Sequence, residues 1–157
     1  MTASGILVAG YGNTLRGDDG AGPAVAAAAA RDPRLAGVDV RALHQLTPEL
    51  AMDVSRASLV ILVDADSGHT PGTVLVQRLA DTPDAAGDAA PAWSHHLAPE
   101  SLAALARDLW GAAPPVFMVR LGVSSLGVGE GLSAAVASAV PVAVDAVAAL
   151  VSEHGRA

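Results

Sequence analysis

Two adjacent aspartates, Asp18 and Asp19, lie between Gly17 and Gly20, soon after the apolar run Ile6-Leu7-Val8-Ala9. A third acid, Asp64, ends the longer apolar run Leu59-Val60-Ile61-Leu62-Val63, and a histidine doublet, His95-His96, follows a loop rich in Pro, Gly, Ala and Asp. One carboxylate from each of two strand ends, with an imidazole, makes a three-ligand metal site that keeps open positions. Without sulfur, that donor set suits borderline divalent ions such as Ni, Zn, Co or Mn. The competing reading is structural: Asp18 or Asp19 caps the helix that begins near Gly22, and Asp64 is a loop acid held by backbone amides.

Glycines after a strand more often announce a phosphate site, but this loop does not fit one. A dinucleotide fingerprint needs a glycine where Leu15 stands, and a P-loop needs Gly-Lys-Ser/Thr, which is missing. Two carboxylates at the mouth would also repel a pyrophosphate. Asp66-Ser67-Gly68 matches the aspartic-protease tripeptide, but it occurs once, and that chemistry needs two such carboxylates. No Gly-X-Ser-X-Gly elbow is present. Among the other histidines, His44 reads as an interior residue at a strand end, and His69 and His154 as surface residues; His95-His96 has a plain alternative as a pair at a helix start.

The chain of 157 residues has the length of one domain, taken as 1–157, and its 52% apolar content is that of a folded globular protein. A formal net charge of -7, with 9 basic residues, argues against nucleic acid or an anionic membrane surface as partner. The absence of cysteine leaves no thiolate ligand or nucleophile and fits a cytoplasmic location. The apolar stretch 133–151 approaches membrane-spanning length, but Pro141 and Asp145 interrupt it and favour a core helix.

These residues need a frame to position them. The spacing predicts a strand at 6–9, a helix from Gly22 to Asp32-Pro33, a strand at 38–43, and a helix over 48–56 capped by Thr47 with Pro48 at its first position. The run 58–68 is the central strand, and 71–79 is a turn followed by a strand nearer an edge. After the loop 80–93, a helix carries Leu102, Leu105 and Leu109 on one face and stops at Gly111; a strand follows at 115–123. Ser133 is placed to cap a last helix with the stripe Val136, Val140, Val144, Val147 and Val151, kinked at Pro141. Strands alternating with helices predict a three-layer α/β/α sandwich around a mainly parallel twisted sheet of about five strands. Such sheets bind ligands beyond the carboxyl ends of their strands, where Asp18, Asp19 and Asp64 fall.

Taken in order over nearly the whole chain, "ILVAGYGNTLRGDDGAG", "HQLTPELA", "LVILVDA", "PGTV", "SHHL" and "GLS" resemble the hydrogenase maturation endopeptidases. The resemblance implies an enzyme that removes the C-terminal peptide from the large-subunit precursor of a nickel-iron hydrogenase after nickel insertion. It also implies that nickel, supplied by the precursor, meets Asp19, Asp64 and His95, with zinc or another divalent ion as the alternative metal. Family members often carry Glu at the second loop acid, where this chain has Asp19. The doublet leaves His96 as the rival ligand, and Gln45-Leu46-Thr47 stands where some members have Gly-Gly-Thr. Asp18 either orients the loop through backbone amides, the preferred reading, or moves protons beside the metal. A rival from another class is an accessory protein that binds metal and docks on the precursor without cutting it.

Overall fold

A computed structural model describes residues 5–79, 97–111, 113–124 and 126–154. Five strands, β1 (Ile6–Tyr11), β2 (Asp39–Leu43), β3 (Leu59–Asp66), β4 (Val74–Arg78) and β5 (Val116–Gly122), form one sheet in the order β2-β1-β3-β5-β4. β1, β2, β3 and β5 are mutually parallel where they pair, and β4 joins β5 antiparallel at the edge. The apolar run of β3 is central because both of its faces must be covered: Leu59 to Val63 are all buried.

Period-two alternation divides the core between the two faces. Ile6, Val8, Ile61, Val63, Val119 and Leu121 point to one cluster, completed by α1 (Ala21–Ala30) and α4 (Ala134–His154). Leu7, Ala9, Val60, Leu62 and Met118 point to the other, completed by α2 (Leu50–Arg56) and α3 (Pro99–Trp110). The result is the expected α/β/α sandwich. α4 is apolar and long enough to cross a membrane by composition, yet its Val136, Ala139, Ala143, Val144 and Val147 are buried in the sandwich. It continues as one helix through Pro141, which lies on its exposed side.

Three local expectations are corrected. Leu109 is 61% exposed, because Ala103 and Ala106 complete the buried stripe of α3 begun by Leu102. α2 starts at Leu50, not at 48: Thr47 and Pro48 form a turn whose carbonyls accept the N–H groups of Leu50 and Ala51, and no side chain caps the helix. His44 is exposed, because β2 is an edge strand whose end stands clear of the core. The loop reading at 80–93 lies outside the described residues.

Candidate active site

The sheet changes direction of winding between β1 and β3: from β1 the chain crosses to β2 on one side, while β3 leads to β5 on the other. That switch point leaves a crevice beyond the carboxyl ends of β1 and β3. The glycines after β1 serve backbone packing at this crevice. A Cβ on Gly22 would lie 2.6 Å from the Val63 carbonyl oxygen and closer still to that of Tyr11, so only glycine lets the start of α1 press onto the two strand ends. Gly12, at φ +151°, similarly has no room for a Cβ beside the Asp19 carbonyl.

Between β1 and α1 a single 3-10 turn, Gly17–Gly20, carries both aspartates, and they do different things. Asp18 is fully buried. Its Oδ1 accepts the N–H of Ser133 at 2.6 Å, and its Oδ2 accepts the Ser133 hydroxyl at 2.9 Å and the Ser124 N–H at 3.2 Å. It therefore ties the turn to the loop after β5 and to the start of α4, as the loop-orienting reading expected, and its oxygens are not available as a proton carrier at an open site. Asp19 is half-buried, and its Oδ2 accepts the Asn13 N–H at 2.8 Å. A cleft of about 250 Å³, lined by Thr14, Gly20, Pro23 and Gly131 among others, adjoins this turn.

Asp64 approaches the same crevice from β3. Burial pushes its carboxyl up to about 6, and the negative charge of Asp19 adds to the rise; a hydrogen bond from the Tyr11 hydroxyl, the Ala65 N–H at 2.8 Å and the Arg120 charge pull the other way. Asp19 and Asp64 are thus close enough to repel. Tyr11, the last residue of β1, is shifted well above the usual phenol range by burial and by Asp64. Arg120 stands opposite Asp64 in the ladder of β5 and donates from Nη1 to Gln77 Oε1 at 2.8 Å.

Of the expected ligands, the fold brings Asp19 and Asp64 together, while His95, like His96, lies outside the described residues. Among the described residues no three His, Asp or Glu side chains gather as a metal-binding group. Two carboxylates, only partly offset by the Arg120 charge, have the chemistry of an incomplete hard-to-borderline cation site. The remaining histidines are peripheral: His69 lies 3.3 Å from Asp66, and His154 stacks on Phe117 at a 4.7 Å ring separation. Asp66 accepts the Gly68 N–H at 2.8 Å, so the Asp-Ser-Gly tripeptide is a turn at the end of β3.

Sequence reasoning passed over Tyr11, Arg120 and Ser124. Arg120 did leave a signal, as the single charge within the apolar run Val116-Phe117-Met118-Val119 and Leu121. Tyr11 left one too, as a polar-tipped residue at a strand's carboxyl end.

Fold and site together define an α/β protein that presents paired carboxylates at a switch point. The hydrogenase maturating endopeptidase HybD from E. coli matches it at 26% identity over 94% of this chain and 92% of that one, with a TM-score of 0.76. The hydrogenase 2 maturation peptidase of a Thaumarchaeota archaeon matches at 29% identity over 94% and 97%, with a TM-score of 0.71. The maturation protease HycI from Thermococcus kodakarensis, at 21% identity and a TM-score of 0.73 over 94% and 92%, shares the fold. No family model and no curated protein sequence matches the chain. The chain is a structural relative of the hydrogenase maturation endopeptidases, as the ordered motifs indicated.

Proposed function

We propose that this protein is a cytoplasmic endopeptidase that removes the C-terminal peptide from a nickel-iron hydrogenase large-subunit precursor after nickel insertion. Nickel seated in the precursor is the feature it reads, through Asp19, Asp64 and His95. The names of its structural neighbours support a peptidase of this kind. The observation that carries the nickel reading is the convergence of Asp19 and Asp64 at the switch point, with Asp64 pushed up to about 6 partly by its neighbour.

That repulsion supplies the licensing step. At pH 7 a carboxyl with a pKa of about 6 is mostly ionised, so docking a precursor without metal buries a negative pair that the single charge of Arg120 only partly offsets. A precursor carrying a divalent cation relieves the repulsion and is bound more tightly, which places its tail at the crevice only when nickel is present. A cation beside the scissile peptide polarises its carbonyl or activates a water. Asp18 holds the turn that carries Asp19 and takes no proton in this scheme.

Intact-mass analysis of nickel-loaded and nickel-free precursor after incubation with the protein tests the proposal. The expected result is loss of a C-terminal peptide only from the loaded precursor and only with Asp19 present, compared with Asp19→Ala. A loaded precursor that binds and stays uncut would replace the protease with the docking accessory protein.

A further inference from the structure

Tyr11 has a place in this site that the paired carboxylates do not explain. It is the last residue of β1, one position beyond Gly10, which pairs with Val63, so Tyr11 lies level with Asp64 on the neighbouring parallel strand β3, which runs on to Asp66. Its ring packs against the cluster formed with α2 and α3, on the same face of the sheet as Asp64, and its hydroxyl neighbours the Asp64 carboxylate. The Ala65 N–H holds Asp64 Oδ1 from the other side at 2.8 Å. A phenol is protonated near neutral pH and can only donate to a carboxylate.

Resting on the nickel-reading function above, we propose that Tyr11 is a positioning residue: its hydroxyl locks the Asp64 carboxylate in the one orientation that meets the nickel carried by the precursor. A carboxylate held by one donor alone would otherwise keep its freedom about the side-chain torsions. Two fixed donors, one from β1 and one from the β3 backbone, remove that freedom before substrate arrives. Supporting hydrogen bonds of this kind govern ligand geometry at metal sites, and their loss typically costs about 10–100-fold in affinity or activity.

The test compares binding of nickel-loaded and nickel-free precursor to the full-length wild type and Tyr11→Phe. Wild type should prefer the loaded precursor; Tyr11→Phe should lose about 10–100-fold of that preference while binding nickel-free precursor unchanged. A loss of affinity for both forms alike, or a preference equal to wild type, would overturn the positioning role. A wild type without preference would overturn the nickel reading itself, and the inference with it. Tyr11 is the chain's only tyrosine, so 3-fluorotyrosine labels this position alone in the otherwise native chain. Its fluorine resonance should move on adding loaded precursor and stay put with nickel-free precursor, and an unmoved resonance in the loaded complex would overturn the proposal even if Tyr11→Phe fails to fold.

Discussion

The Asp18 carboxylate accepts the backbone N–H of Ser133 at 2.6 Å across 115 residues of sequence. This contact joins the glycine-flanked acid pair to the Gly131-Leu132-Ser133 motif and so closes the site loop against the start of α4. The adjacent Asp19 bonds Asn13 instead and is left facing the crevice with Asp64. One acid of the pair therefore builds the site that the other serves.

Asp18→Ala should be among the most destabilising changes in the turn. It removes the buried acceptor of the Ser133 and Ser124 N–H groups, at about 1.5–3 kcal/mol for each hydrogen bond to a charged group. Urea unfolding should show a lowered midpoint with an unchanged slope. A midpoint equal to wild type would mean that the tie contributes nothing.

Gly22→Ala should destabilise by about 1–3 kcal/mol or more, because its methyl group meets the carbonyls of Tyr11 and Val63, which are backbone and cannot rotate away. Gly127→Ala, where nothing lies within 4 Å, is the control and should stay within about 0.5 kcal/mol of wild type. Thermal unfolding of the two variants side by side separates packing at the switch point from a general cost of replacing glycine.

Asp64 should titrate in the folded protein near pH 6. Its folded pKa lies above the ordinary 3.8, so the native state holds the proton more tightly than the unfolded chain between those values. The contribution is therefore full at low pH and is lost as pH rises through about 6, by up to about 3 kcal/mol. Relative to Asp64→Asn, wild type should lose stability between pH 4 and pH 6, as read by denaturant unfolding at each pH. A constant difference across that range would contradict the raised value.

Pro141→Ala should stabilise the fold. Pro141 is exposed in the interior of α4 and removes a helix hydrogen bond without contributing to the core, whereas alanine is favoured there by up to about 3 kcal/mol on intrinsic propensity. A rise in the thermal midpoint is the expected reading, and a fall would show that Pro141 serves the shape of α4.

Much of this molecule was written in short-range patterns. The run ending in Asp64 is apolar and β-branched because both faces of β3 are covered, so its central place and the parallel sheet followed from local sequence. The placement of Asp19 and Asp64 toward the carboxyl edge followed as well, since parallel strands all end on one edge, although β3 runs two residues past Asp64. Spacing could not tell the two members of Asp18-Asp19 apart, because their roles depend on what a distant loop brings to them. Ser133 read as a helix cap, and only the packing of α4 beside α1 turned its hydroxyl and N–H toward Asp18. Tyr11 and Arg120 joined the site through strand register, a pairing between segments that local periodicity does not encode. The sequence by itself determined the elements, their order and the edge where the acids gather, because these depend on burial and chain direction. The tertiary structure alone decided which acid is sealed inside and which is left to meet a substrate, because hydrogen-bond partners are chosen by contacts across more than a hundred residues.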